Sequence, residues 1–375
     1  MKAGRLRRAL SHWAQALIMS MFLPLAALAG EEIGVAERAA MAANHLLHSQ
    51  LSSGFFSYEH DFLTGTDSSK DNIVRQAGTA YSLAEYQALF PNSSINGALR
   101  KALQGFQAAS VEWQGGRLLT FNGSLKKAKA GATALALLSA LIASEDKVGD
   151  DFSQISKDWV KGLLALQMPD GGFASGPGSE QQSPYSNGEI WLSLALYQRE
   201  FPDDTRVVQA LQRADRFMIA NYADPPDIGF FHWGVMAAAA RHQTSRQRRF
   251  AEFIALQVRS FIEELRPEVK YRANSCYSVE GLLEGAAVLK EYPEYQELHR
   301  RVIARVKKEM QKNRLLQILP GQKRIQFSEQ RFLSAPEIPS YAGAFLNGRY
   351  RPQVRIDATQ HCLSAMTKEI KYAVD

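Results

Sequence analysis

Glu189 and Asp357 are the residues best placed to do acid–base chemistry. Each stands at the start of an otherwise apolar stretch rich in small residues: Pro184-Tyr185-Ser186-Asn187-Gly188-Glu189-Ile190-Trp191 and Arg355-Ile356-Asp357-Ala358-Thr359-Gln360-His361. A carboxyl carried into an apolar interior has its pKa raised and can act as a proton donor. A second carboxylate completes the pair that glycoside hydrolysis requires, one serving as acid and the other as base or nucleophile. Both positions also admit a structural role, Glu189 as an N3-type helix cap and Asp357 as an N-cap. His232 follows Phe230-Phe231 and precedes Trp233; it could move a proton or simply fill a core.

The groups that could position a substrate stand at equivalent places. Arg75 and Gln76 begin one such stretch, Tyr185 and Asn187 accompany Glu189, Trp233 follows His232, and Arg272, Tyr277 and Glu280 surround another start. An arginine at a helix N-terminus opposes the helix dipole, so Arg75 is there either for a ligand or for a carboxylate partner. Arg75 and Arg272 would neutralise a carboxylate if the substrate contained a uronic acid. The aromatic and acidic run Gly54-Phe55-Phe56-Ser57-Tyr58-Glu59-His60-Asp61-Phe62 suits either sugar recognition or packing of a loop. No catalytic metal is expected. The two cysteines, Cys276 and Cys362, leave three arrangements open: buried thiols, a disulfide, or a zinc site shared with His361. The zinc arrangement is disfavoured because adjacent helix residues point about 100° apart.

The elements that must carry these groups repeat six times. Apolar Ala- and Gly-rich stretches at 74–89, 128–143, 187–200, 230–241, 275–290 and 356–368 read as buried inner helices. More charged, amphipathic stretches at 33–50, 96–110, 152–167, 205–221, 246–265 and 293–313 read as outer helices. Alternation of the two kinds predicts an all-α, closed (α/α)6 toroid of six helical hairpins. The inner-to-outer connections are short, whereas outer-to-inner loops such as 51–73, 111–127, 168–186 and 314–355 are long. Long loops in a compact domain are usually functional. All of them would emerge on one face, together with the N-termini of the inner helices, and that mouth is the expected binding cleft. Segment 314–355 is expected to be a long loop or a lid, with a short strand at Ile325-Gln326-Phe327.

Residues 1–29 read as a secretory signal: a basic start with Lys2, Arg5, Arg7 and Arg8, an apolar run from Trp13 to Leu28, and Ala27-Leu28-Ala29 before Gly30. Residues 30–375 are expected to form a single toroid domain. Four of the 44 basic residues and none of the 38 acidic ones fall in the signal, which leaves a mature charge of +2. That balance carries no nucleic-acid footprint. No later segment is long and apolar enough to span a bilayer, so a periplasmic or secreted location follows.

On this layout across 33–370, and on Asp170-Gly171-Gly172-Phe173 and Tyr185-Ser186-Asn187-Gly188-Glu189, the chain resembles the six-hairpin glycosidase-like superfamily of (α/α)6 toroids. That superfamily includes glycoside hydrolases, polysaccharide lyases and relatives of the glucuronyl C5-epimerase helical domain. The Asn-Asn-His pattern of alginate and heparinoid lyases is absent, as is the Asp-x-Asp-Asp motif of terpene cyclases. His361-Cys362 reverses the Cys-His order of lanthionine-cyclase-like toroids. The resemblance implies a carbohydrate-active enzyme without a cofactor, acting on a poly- or oligosaccharide, uronic-acid-containing sugars included. Hydrolysis with Glu189 and Asp357 as the carboxylate pair is the leading expectation. A lyase or epimerase in which Tyr and His handle an α-proton is one alternative; a non-catalytic toroid that binds a glycan or a protein is the other.

Overall fold

Inner helices with small residues on most sides can approach one another closely, and six of them close a ring. The computed structural model describes residues 33–145 and 152–374; the expected export signal lies outside the described residues. Among these residues are twelve α-helices: α1 (Val35–His48), α2 (Ile73–Leu89), α3 (Ser93–Ala109), α4 (Ala130–Glu145), α5 (Ser153–Leu164), α6 (Pro184–Glu200), α7 (Thr205–Ala223), α8 (Ile228–Ser245), α9 (Arg248–Ser260), α10 (Cys276–Leu289), α11 (Gln296–Arg314) and α12 (Ile356–Lys371). The even-numbered helices pack side by side in order, α2 on α4 and so on to α12, and α12 packs back on α2. The fold is an (α/α)6 toroid.

Short connections fix the pairing. Each of α3, α5, α7, α9 and α11 packs on the inner helix before it, and α1 closes the outer layer mainly against α12. Glycines set the inner spacing. A Cβ at Gly188 would lie 2.5 Å from the Trp233 Cβ, and one at Gly281 would lie 2.8 Å from the His232 Cα. Asp215, on α7, is fully buried and ties the outer layer to the inner one. It accepts from Trp191 Nε1 at 2.8 Å and from Arg241 Nε and Nη2 at 3.0 and 2.8 Å.

The long loops carry small strands. β1 (Glu59–Asp61) pairs with β2 (Thr66–Asp67) and with β7 (Gln353–Arg355), so the first and last loops are joined where α12 closes on α2. β3 (Ser110–Trp113) and β4 (Gly116–Leu119) form a hairpin. The expected strand near Ile325 is β5 (Arg324–Gln326), paired with β6 (Phe332–Ser334).

A recurrent hydrogen bond pins four of these loops to the ring. The fourth residue of an inner helix accepts from a loop backbone N–H: Gln76 from Phe56 at 2.8 Å, Thr133 from Leu119 at 2.9 Å, Asn187 from Phe173 at 2.8 Å and Thr359 from Phe345 at 3.0 Å. A buried donor left without an acceptor is costly, so each such side chain fixes where its loop meets the mouth. In the Asp170-Gly171-Gly172-Phe173 turn, Gly171 adopts φ +102°, a region that a side chain would strain. Phe173 beyond it is fully buried. The loop residues Phe56, His60 and Phe62 are buried too, and His60 stacks on Tyr341 at 4.7 Å, so the packing role holds for that aromatic run. Cys276, the first residue of α10, and Cys362, in the second turn of the neighbouring α12, form a disulfide. No helix among the described residues is long and apolar enough to cross a membrane.

Candidate active site

The first two turns of α2, α6, α10 and α12, with His232 and Trp233 of α8 and Gly131 and Leu135 of α4, surround a cavity of about 630 Å³ at the mouth. On α6, Tyr185, Ser186 and Glu189 are three and four residues apart and so share one helix face, which is turned to the cavity. Trp191 lies two positions beyond Glu189, about 200° around the helix, and anchors the opposite face through Asp215. On α12 the same spacing brings Asp357, Gln360 and His361 to the cavity wall.

Glu189 is only 4% exposed, and no described residue hydrogen-bonds its side chain. Burial pushes its carboxyl up to about 8, against a smaller opposing pull from His361. At neutral pH it therefore holds a proton and can give one away. Room for the carboxyl comes from Gly131 of α4, where a Cβ would stand 1.9 Å from Glu189 Oε2.

Two histidines flank the floor with opposite tendencies. His232 is buried, neither ring nitrogen has a partner, and burial, reinforced by His361 and Lys368, depresses its pKa well below the usual value. It is a neutral imidazole with unused hydrogen-bonding capacity. His361 lies 5.8 Å from the His232 ring and bonds through Nδ1 to Glu280 at 2.7 Å. Burial opposes its charged form, but the charge and hydrogen bond of Glu280, together with Asp357, raise the pKa. Behind this pair, Glu280 accepts from Ser364 at 3.0 Å, and Ser364 also accepts from Lys368 at 2.9 Å, so the charge is embedded in a buried polar chain inside the ring.

Asp357 has a different environment from Glu189. Arg75 Nε approaches it at 2.9 Å, and Arg355 donates to it at 2.6 and 2.9 Å. Its negative charge is matched twice over and its orientation is fixed.

Of the other groups that sequence singled out, Arg75, Tyr185, Trp233 and Tyr277 also line the cavity. Gln76, Asn187, Arg272 and Glu280 do not. Gln76 and Asn187 spend their side chains on the loops; Asn187 further donates to Gln182 and Tyr222, both at 2.9 Å. Glu280 sits behind His361. Arg272 is 72% exposed, faces Glu329 at 3.2 Å and lies over the Tyr350 ring. The zinc arrangement lacks its donors, because the cysteines bond each other and the His361 Nδ1 is engaged by Glu280. Segment 314–355 contributes Asn347, Arg351 and Arg355 to the wall, two of which sequence reasoning passed over.

The Gly131 gap gives a direct prediction. Gly131→Ala should keep or slightly raise helicity, since alanine is favoured over glycine in a helix by about 1 kcal/mol. Its methyl group must displace the Glu189 carboxyl. Circular dichroism is expected to be unchanged while turnover drops about tenfold or more. Unchanged turnover would show that the position of Glu189 does not matter.

No protein-family model and no curated protein matches the chain. Solved structures do. An inactive variant of the family 76 alpha-1,6-mannanase of Salegentibacter sp. HEL1_6, bound to alpha-1,6-mannotetrose, is similar at TM-score 0.67 and 9% identity, over 91% of this chain and 100% of that one. A family 76 alpha-mannanase of Bacteroides thetaiotaomicron gives 0.64 at 9% identity, over 91% and 96%. An unsaturated glucuronyl hydrolase specific for heparin gives 0.60 at 10% identity, over 90% and 97%. At this identity the likeness is one of fold: all are (α/α)6 toroid, glycosidase-like enzymes. The mannanase variant is inactive with two adjacent aspartates replaced. The adjacent aspartates Asp203 and Asp204 of this chain lie in the turn between α6 and α7, at the end of the ring away from the mouth; Asp150 and Asp151 lie outside the described residues. No adjacent aspartate pair lines the described cavity.

Proposed function

We propose that this protein is an exported glycan hydrolase that cleaves a glycosidic bond of a poly- or oligosaccharide at the mouth of the toroid. The observation that carries the reading is Glu189, a buried carboxyl without a hydrogen-bond partner, protonated at neutral pH, on the floor of the cavity. Glu189 gives its proton to the leaving glycosidic oxygen as the bond from that oxygen to the anomeric carbon breaks. Water adds to the anomeric carbon and passes a proton to Asp357, which Arg75 and Arg355 hold in place. The two carboxyls then return to their starting states by proton exchange with solvent. His232 offers two free ring nitrogens to sugar hydroxyls, and the half-exposed Tyr185 offers a ring face beside them.

Incubation with a panel of polysaccharides and their oligosaccharides in ¹⁸O-water tests this. Hydrolysis is expected to create new reducing ends that carry ¹⁸O. An unsaturated, ultraviolet-absorbing product without ¹⁸O would make it a lyase. In a parallel incubation in D2O, deuterium incorporation at C5 without new ends would make it an epimerase. Binding with neither would make it a carbohydrate-binding toroid, and each of these three results rejects hydrolysis.

A further inference from the structure

We infer that the cavity is built for an anionic oligosaccharide that carries several negative charges along its length. This inference rests on the glycan reading above and names the substrate class. Four cationic side chains, Arg75, Lys129, Arg351 and Arg355, line the cavity together with only two carboxyls, Glu189 and Asp357. One of the two carboxyls is the proton-holding Glu189. The other, Asp357, is shared by Arg75 and Arg355. Beyond it, only Glu59 at 3.7 Å reaches Arg355. Lys129 and Arg351 have no carboxylate partner among the described residues, and both stand exposed at the rim. The positive ends of the inner helices converge on the same space, which adds to the field.

A neutral sugar can use His232 and Tyr185 but leaves the positive charges of this wall unanswered. Its hydroxyls are best held by carboxylate acceptors, and the one charged acceptor here is already occupied by two guanidinium groups. Of the amides on the wall, Asn274 is spent on Leu346, Ala358 and Cys276, and Asn72 and Gln360 give their oxygens to the Val74 N–H and to Thr79. An anionic sugar instead answers the charge imbalance. Arg355 spends Nε and Nη2 on Asp357, and Arg75 spends Nε on Asp357 and Nη1 on Tyr58, so these two guanidiniums add positive charge to the wall while Lys129 and Arg351 remain free to pair with an anion. Lys129 precedes α4 whereas Arg351 belongs to the loop before β7, so the unpaired charges sit in separate segments of the rim. That separation favours a chain with repeated charges over a single charged residue. Carboxylate groups of uronates and sulfate esters share this chemistry.

Calorimetric titration of the mature protein carrying Glu189→Gln, which does not consume its ligand, separates these cases. The probes are oligogalacturonate, oligomannuronate and hyaluronan oligosaccharides, their carboxyl-reduced counterparts, sulfated galactan oligosaccharides, and alpha-1,6-mannotetrose. At least one anionic probe is expected to bind about tenfold or more tighter than its uncharged counterpart, and to weaken as salt screens the charges. Combining Lys129→Ala with Arg351→Ala should remove most of that preference without lowering the melting temperature, since both side chains are exposed. The ranking of uronate against sulfated probes identifies the recognised group. Equal or tighter binding of neutral probes, no binding of any anionic probe, or a preference untouched by the double substitution overturns the inference. Cleavage of a neutral sugar by the wild type would sink this inference and leave the hydrolase reading standing. Tight anionic binding without cleavage by the wild type would do the reverse.

Discussion

Glu189→Gln is expected to abolish most turnover and, at the same time, to make the protein more stable at alkaline pH. The two effects have one cause. Loss of an acid–base group costs ~10²-fold or more in rate. The stability effect follows from proton linkage. Glu189 in the folded protein holds its proton up to about pH 8, whereas the unfolded chain releases it near the ordinary value of 4.5. Between those two values the folded state binds more protons than the unfolded state, so wild-type stability falls as pH rises through that window. Above it the loss is complete, on the order of 5 kcal/mol as an upper bound. Glutamine does not titrate and escapes this loss. The melting temperature of the variant should therefore match that of the wild type at about pH 4.5, exceed it increasingly up to about pH 8, and stay above it by a constant amount beyond. Thermal scans across that range check the sign. A variant that is less stable at every pH, with full activity per folded molecule, would identify Glu189 as a structural residue.

Asp215→Ala is expected to be the most damaging single change away from the cavity. Asp215 is fully buried and accepts from Trp191, from Arg241 twice, and from Arg249 at 3.3 Å. Removal leaves the buried Arg241 guanidinium without its counter-charge, which costs about 3–5 kcal/mol when one partner of such a pair is deleted. It also releases Trp191, whose bond holds the outward face of α6 and so keeps Glu189 turned inward. Denaturant unfolding should show the loss in midpoint, and turnover of the remaining folded protein should fall with it. Asp215→Asn should lie between, because the amide oxygen can still accept from Trp191. A melting temperature unchanged by Asp215→Ala would mean that the ion pair contributes nothing to fold stability.

The ring was legible in sequence because its two kinds of helix differ in composition. Ala130–Glu145 is apolar on all sides, whereas Arg248–Ser260 has one apolar face, and that contrast places one inside and the other outside. The short turns after Leu89 and Glu200 then dictate neighbours. The floor of the site was legible for the same reason: Glu189, His232, Tyr277 and Asp357 occupy the first two turns of inner helices, and those turns converge at the mouth. What each side chain does there was less visible. Gln76 and Asn187 occupy the same level of the ring as Glu189 but turn toward loops, and which face a first-turn residue presents depends on the rotation of its helix. A signal exists for Asn187, though not for Gln76, whose donor Phe56 lies 20 residues away. Leu119 and Thr133, Phe173 and Asn187, and Phe345 and Thr359 are each separated by 14 residues, a spacing that marks a loop donor and its helix acceptor. Arg351 and Asn347 had no periodic pattern to betray them. They reach the cavity because β7 pairs with β1, a contact between opposite ends of the chain that no local pattern encodes.

A crystal structure of the protein carrying Glu189→Gln, soaked with the tightest-binding oligosaccharide, tests the central claim most directly. The sugar should lie in the cavity between α6 and α12, with a glycosidic oxygen within about 3 Å of the amide at position 189, the reach of a proton donor. An oligosaccharide bound elsewhere on the ring, or bound in the cavity with every glycosidic oxygen beyond reach of that side chain, would contradict it.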